Sequence, residues 1–136
     1  MLPVADPRET IHAPAAPAAI GPYSHAVRSG SLLFCSGQIP LDPTSGEIVG
    51  ETPAEQARQC LLNLTAVCDA AGASLADAVR LTVYMTDLDA FAAVGEVYAG
   101  FFPEAPPARV AIGVAALPRG AQVEIDAIVS LAAAPA

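Results

Sequence analysis

Apolar and polar positions along the chain predict a string of short strands interrupted by two helices. Leu32-Leu33-Phe34-Cys35 is apolar without alternation, which is the pattern of a strand buried on both faces and therefore central in its sheet. Ser29-Gly30 separates residues 23–28 from 31–36 and predicts a tight hairpin. Thr52-Pro53-Ala54-Glu55 predicts a helix start, with Thr52 as cap, Pro53 in the first position and Glu55 completing a capping box. Leu61, Leu64, Val67, Cys68 and Ala71 then recur at helical spacing, and Gly72 ends the run. Val79, Leu81, Val83 and Met85 alternate with Arg80, Thr82 and Tyr84, predicting a strand, and Phe91, Val94, Tyr98 and Phe101 mark a second helix stopped by Pro103. Two further alternating runs, Val110/Ile112/Val114 and Val123/Ile125/Ala127, flank Leu117-Pro118-Arg119-Gly120. They predict a C-terminal hairpin that pairs 114 with 123, 112 with 125 and 110 with 127.

The expected architecture is α+β, with five or six strands and two helices packed on one face of a sheet. The 136 residues suit one domain spanning 1–136, in which residues 1–22 form a Pro/Ala-rich arm with a short strand near Ile11. On the expected hairpin, the face opposite the apolar pairs carries Arg109, Ala111, Gly113, Glu124, Asp126 and Ile128. Ala26, Leu33, Cys35 and Ile128 would leave the uncovered sheet face partly apolar, so a second subunit is expected to cover it.

Charge narrows the function. Fourteen acidic residues oppose six basic ones, all arginine, for a formal net charge of -8. The absence of lysine excludes a lysine Schiff base and a P-loop lysine, and the negative charge makes nucleic acid and acidic membranes poor partners. Three cysteines without metal-ligand spacing, and two histidines well apart in sequence, give neither a disulfide framework nor a zinc site. The N-terminus lacks the basic start and apolar stretch of a signal peptide, and a reducing cytoplasm is the expected compartment. Asn63-Leu64-Thr65 fits the glycosylation pattern but falls inside a predicted helix.

Arg109 is the most informative residue. Small neighbours, Ala111 and Gly113, leave room before a guanidinium whose planar donors match a carboxylate, and the plainer reading is an ion pair with Glu124 or Asp126. In the expected hairpin Arg109 and Glu124 stand roughly 13 Å apart along the strand, so they do not pair within one hairpin but can converge across a subunit boundary. Glu124 is the candidate proton handler, with Asp126 competing for the role, and an ordinary solvated glutamate is the plainer reading. Tyr23, at the end of Ile20-Gly21-Pro22, offers a hydroxyl or a pocket wall and is equally readable as a core tyrosine. Gly37 permits close backbone approach by a ligand, or simply a turn. Cys35 reads as buried and inert, and Cys60 and Cys68 as packing residues. Such an inventory, with no strong nucleophile, metal motif or cofactor fingerprint, suits the hydrolysis of an already reactive electrophile such as an imine or enamine.

Six blocks in order resemble the RidA (YjgF-type) enamine/imine deaminase family: Ala18-Ala19-Ile20-Gly21-Pro22-Tyr23, Ser36-Gly37-Gln38-Ile39-Pro40, Glu55-Gln56-Ala57-Arg58-Gln59, residues 98–102, Pro107-Ala108-Arg109 and Val123-Glu124-Ile125-Asp126-Ala127. The resemblance runs from about residue 11 to about residue 131. It implies a chorismate-mutase-like α+β fold and a homotrimer with sites between subunits. It also implies cofactor-free hydrolysis of 2-aminoacrylate, 2-iminopropionate, 2-iminobutyrate and related species to 2-keto acids and ammonia. By carry-over, Arg109 matches the carboxylate-binding arginine, Glu124 the glutamate near the catalytic water, and Tyr23 and Gly37 pocket positions. The family pattern departs at Ala111, where a cysteine is frequent and where only the backbone carbonyl remains to hold water, and at Gly95, where a pocket asparagine is replaced. The alternatives are a deaminase of a longer substrate such as 2-aminomuconate, a non-catalytic 2-keto-acid-binding module, and a ribonuclease, which the charge opposes.

Overall fold

In the computed structural model, which describes residues 8–131, the strands are β1 (Glu9–Ile11), β2 (Ala26–Ser29), β3 (Leu32–Gln38), β4 (Ala78–Met85), β5 (Ala108–Gly113) and β6 (Val123–Ser130). The helices are α1 (Pro53–Ala70) and α2 (Phe91–Phe101). The first seven residues of the expected arm, on which the signal-peptide expectation falls, lie outside the described residues. The strand expected near Ile11 is β1, paired antiparallel with β2. Gly30, at a φ of 60°, turns the β2–β3 hairpin, a conformation that costs a glycine nothing.

The six strands form one mixed sheet in the order β1-β2-β3-β6-β4-β5. α1 forms where its sequence predicts it. Thr52 Oγ1 accepts the Glu55 N–H at 3.2 Å, while Glu55 Oε2 accepts the N–H of Glu51 at 2.9 Å, one residue earlier than a reciprocal box requires. Leu61, Leu64 and Val67 of α1 are fully buried with Leu33, Leu81, Val123 and Ile125, so the core lies between the helices and one sheet face. Among the described residues no helix is long and apolar enough to cross a membrane.

The expected C-terminal hairpin is absent. β4 lies between β5 and β6, pairing parallel with β5 and antiparallel with β6. A parallel pair needs a crossover, and α2 supplies it. The segment between β5 and β6 instead passes the end of β4, where the Val114 N–H donates to Met85 O (2.8 Å) and the Thr86 N–H to Gln122 O (3.1 Å).

Two face assignments change with it. Ala26 and Leu33 (0% exposed) and Cys35 (6%) belong to the helix-covered core and not to the open face. On β5 the apolar residues point the other way: Val110 and Ile112 are 40% and 41% exposed, whereas Ala111 packs on the core. The face expected to carry Arg109 together with Glu124 is therefore split between the two sides of the sheet.

Candidate functional site

Three of the expected residues converge on the open face. β3 and β6 pair Cys35 with Ala127 and then Gln38 with Ile125, so β3 carries one extra residue over that stretch. This is a β-bulge, which re-aims side chains by letting neighbours share a face. It brings both Ser36 and Gly37 to the wall of a cavity of about 300 Å³ that Glu124 also lines. The fit at Gly37 is tight: an added Cβ would collide with Glu124 Oε2 and lie 3.0 Å from its Cδ. Here close approach of the Glu124 side chain, not the backbone angle, is what a Cβ would disturb: the carboxylate would have to move aside.

The arm before β2 closes the cavity with Ile20 and Tyr23. A turn holds them: the Tyr23 N–H donates to Gly21 O at 2.9 Å, and the Ile20 N–H donates to Tyr23 Oη at 3.2 Å. Ile39 and Pro118 complete the lining.

The two carboxylates of β6 have different surroundings. Asp126 Oδ1 accepts the Thr82 N–H at 3.2 Å, and its Oδ2 accepts the Tyr84 hydroxyl at 3.0 Å. That carboxylate is engaged by β4. Glu124 faces the cavity, and burial, followed by the nearby Asp126 charge, pushes its carboxyl above the ordinary 4.5. A carboxyl shifted upward in a cleft is suited to hold and deliver a proton, so the geometry favours Glu124 over Asp126 for that role.

Arg109 and Ala111 are not brought to this cavity within one chain. They lie on β5 on the helix side of the sheet. The Arg109 guanidinium carbon sits 5.1 Å from the centroid of the Phe91 ring and 5.3 Å from that of Tyr98. Ring faces attract a cation and leave its in-plane donors free for a carboxylate. Before the guanidinium lies a second cavity, of about 410 Å³, bordered by Gly95, Tyr98, Phe102, Pro106 and Pro107. A Cβ at Gly95 would meet nothing within 4 Å. Sequence reasoning missed the Phe91/Tyr98 seat; its signal was their separation of seven residues, two helical turns on one face. It likewise missed Ser36, Ile39 and Pro118 as site residues.

The cysteines are buried. The hydrogen bond with Cys68, together with burial, pushes the Cys35 thiol far above its ordinary range, and burial does the same to Cys60. Among the described residues no group of three or more His, Cys, Asp or Glu side chains is placed to hold a metal ion.

The family model for endoribonuclease L-PSP matches residues 13–131. The RutC family protein y4sK of Sinorhizobium fredii is 53% identical over 116 residues, covering 85% of this chain and 92% of that protein. The 2-iminobutanoate/2-iminopropanoate deaminase of Mus musculus is 46% identical over 121 residues, covering 89% of this chain and 90% of that protein. Among solved structures, RidA from the Antarctic bacterium Psychrobacter superimposes with a TM-score of 0.87 at 44% identity, covering 90% of this chain and 99% of that one.

Proposed function

The chain belongs to the endoribonuclease L-PSP (YjgF/RidA) family, and we propose that it is a hydrolytic deaminase of reactive 2-imino acids and their enamines, such as 2-aminoacrylate, 2-iminopropionate and 2-iminobutyrate. The observation that carries this reading is the Glu124 carboxyl, its pKa raised by burial, lying over Gly37 in a cavity walled by Tyr23. The name borne by the mouse relative supports the same chemistry.

In the proposed reaction the enamine takes a proton on carbon to become the imine. Water then adds to the imine carbon. The C–N bond of the resulting carbinolamine breaks, releasing ammonia and leaving the keto acid. Glu124 removes a proton from the attacking water and returns one to the departing nitrogen. Arg109 grips the substrate carboxylate and fixes the imine carbon in the cavity. No cofactor enters the scheme, and the backbone carbonyl of Ala111 remains available to hold water.

One chain does not offer Arg109 and Glu124 to the same small molecule, because they occupy opposite faces of the sheet. The proposed working form is a homotrimer in which Arg109 of one copy reaches the Glu124 cavity of the next. The three buried free cysteines suit a reducing cytoplasm. An endoribonuclease activity is disfavoured, since a chain without lysine and with a net charge of -8 has little to hold a phosphate backbone.

The test couples the protein to a serine or threonine dehydratase and times imine decay. Decay faster than the buffer blank is expected, and decay equal to the blank rejects the reading. Arg109→Ala should lower kcat/KM by about tenfold or more, the loss expected from one charge-assisted carboxylate contact.

A further inference from the structure

His25 is 3% exposed, directly precedes β2, and has a ring whose two nitrogens both face backbone groups of the arm. Nδ1 lies 3.0 Å from the Ala13 N–H, which can only donate. Nε2 lies 2.7 Å from the Pro17 carbonyl oxygen, which can only accept. A single species satisfies both contacts, the neutral imidazole with its proton on Nε2. The ring thus ties both ends of residues 13–17, a turn closed internally by the Ala16 N–H on Ala13 O at 3.1 Å.

The segment that follows carries Ile20 and Tyr23 to the Glu124 cavity. Its far end is anchored to β3: Ser36 Oγ donates to Ser24 O at 2.6 Å, and the Ser36 N–H donates to His25 O at 3.0 Å. Its near end is anchored at Pro17 by the imidazole. Between these anchors packing offers little support. Ile20 is 50% and Tyr23 42% exposed, and Tyr23 also lines another cavity, of about 290 Å³, with Ala18 and Ala19. This wall borders two cavities and is half exposed, so hydrogen bonds at its ends set its position.

We infer that His25 is a positioning residue for the proposed deaminase: through Ala13 and Pro17 its neutral imidazole fixes where Ile20 and Tyr23 stand against the substrate. The kinetic part of this inference rests on the deaminase reading; the structural part does not. Glutamine can donate from Nε2 and accept at Oε1, so it can replace both contacts, whereas alanine can replace neither.

The experiment compares full-length wild type, His25→Ala and His25→Gln. In His25→Ala the amides of Ala13, Ala16 and Ile20 should exchange faster with solvent while those of α1 keep their protection. KM for 2-iminopropionate should rise about tenfold with kcat within about twofold, because a misplaced wall weakens binding more than chemistry. His25→Gln should return both toward wild type. Unchanged exchange and KM in His25→Ala, or a defect that His25→Gln fails to rescue, overturns the inference. Nitrogen NMR of the wild-type imidazole tests the tautomer even where His25→Ala does not fold: a proton on Nε2 is expected, and a proton on Nδ1 overturns the assignment. A wild type without imine hydrolysis rejects the deaminase reading, and the exchange and NMR data still decide the role of His25.

Discussion

At the scale of single atoms, the contact between Gly37 and Glu124 places the carboxylate in the cavity of the proposed reaction. The glutamate lies where a side chain at position 37 would displace its carboxylate, and burial raises its proton affinity. Gly37→Ala should force the carboxylate aside, lowering kcat/KM for imine hydrolysis by about tenfold or more with the overall fold retained; a steady-state assay beside circular dichroism checks both halves. Glu124→Gln separates charge from shape. Below the ordinary 4.5 the wild-type carboxyl is protonated in folded and unfolded chains alike. As pH rises the unfolded chain ionises first, and the folded state loses stability until its own raised pKa is passed. Urea unfolding across a pH series should therefore show the wild type losing a stabilising contribution that Glu124→Gln keeps, leaving the variant the more stable protein at neutral pH but inactive. A variant less stable at neutral pH contradicts the assignment. That Tyr23, Gly37 and Glu124 line one cavity was legible in the sequence because the six-block resemblance implies pocket positions for all three. The seating of Arg109 was not, because no pattern along β5 says which side of an edge strand meets a helix.

Secondary-structure elements divide in the same way. α1 is specified locally, by its cap, its first-turn proline and a buried stripe, so its start and finish follow from neighbouring residues. Thr52→Ala should cost about 1 kcal/mol, measurable by chemical denaturation. The pairing of β5 is specified by no such local code. Period-two alternation fixes which residues share a face, but not which strand lies alongside. The expected hairpin satisfied every apolar pairing, and yet β4 occupies the space between its two arms. The bulges at Ser36-Gly37 and near Val79 were equally unreadable, since each inserts a residue without a mark in the apolar pattern. One helix residue reaches the site indirectly. Asn63, 1% exposed, donates from Nδ2 to Ile39 O at 3.3 Å and Leu41 O at 3.0 Å, tying the segment that follows β3 to α1. Burial of that amide removes Asn63 as a glycan acceptor. Asn63→Ala should cost about 1–3 kcal/mol through the stranded carbonyls, and should weaken substrate binding through Ile39, which lines the cavity; denaturation and KM measured on the same variant distinguish a global from a local effect.

Across the whole molecule the open sheet face poses the remaining problem. Phe34 pairs with Ile128, Tyr84 lies between Glu124 and Ile112, and Thr82 lies between Asp126 and Val110, so these side chains share one surface. Phe34, Val110 and Ile112 there are 43%, 40% and 41% exposed. An exposed apolar group of this kind is what the contact between copies in the proposed trimer would cover. Light scattering should give a mass three times the 13.7 kDa of one chain, and Ile112→Asp should lower it while abolishing imine hydrolysis. The opposite-face placement of Arg109 and Glu124 adds a sharper consequence. Arg109→Ala and Glu124→Gln should each lose most of their activity alone. Mixed, unfolded and refolded together, they would form, on the proposed trimer, assemblies in which a chain that kept its arginine meets a neighbour that kept its glutamate. With random assembly of a cyclic trimer, roughly one site in four is then intact, so activity should reappear to about that fraction of wild type. A site built within one chain would stay dead in every mixture, because no chain in it carries both groups.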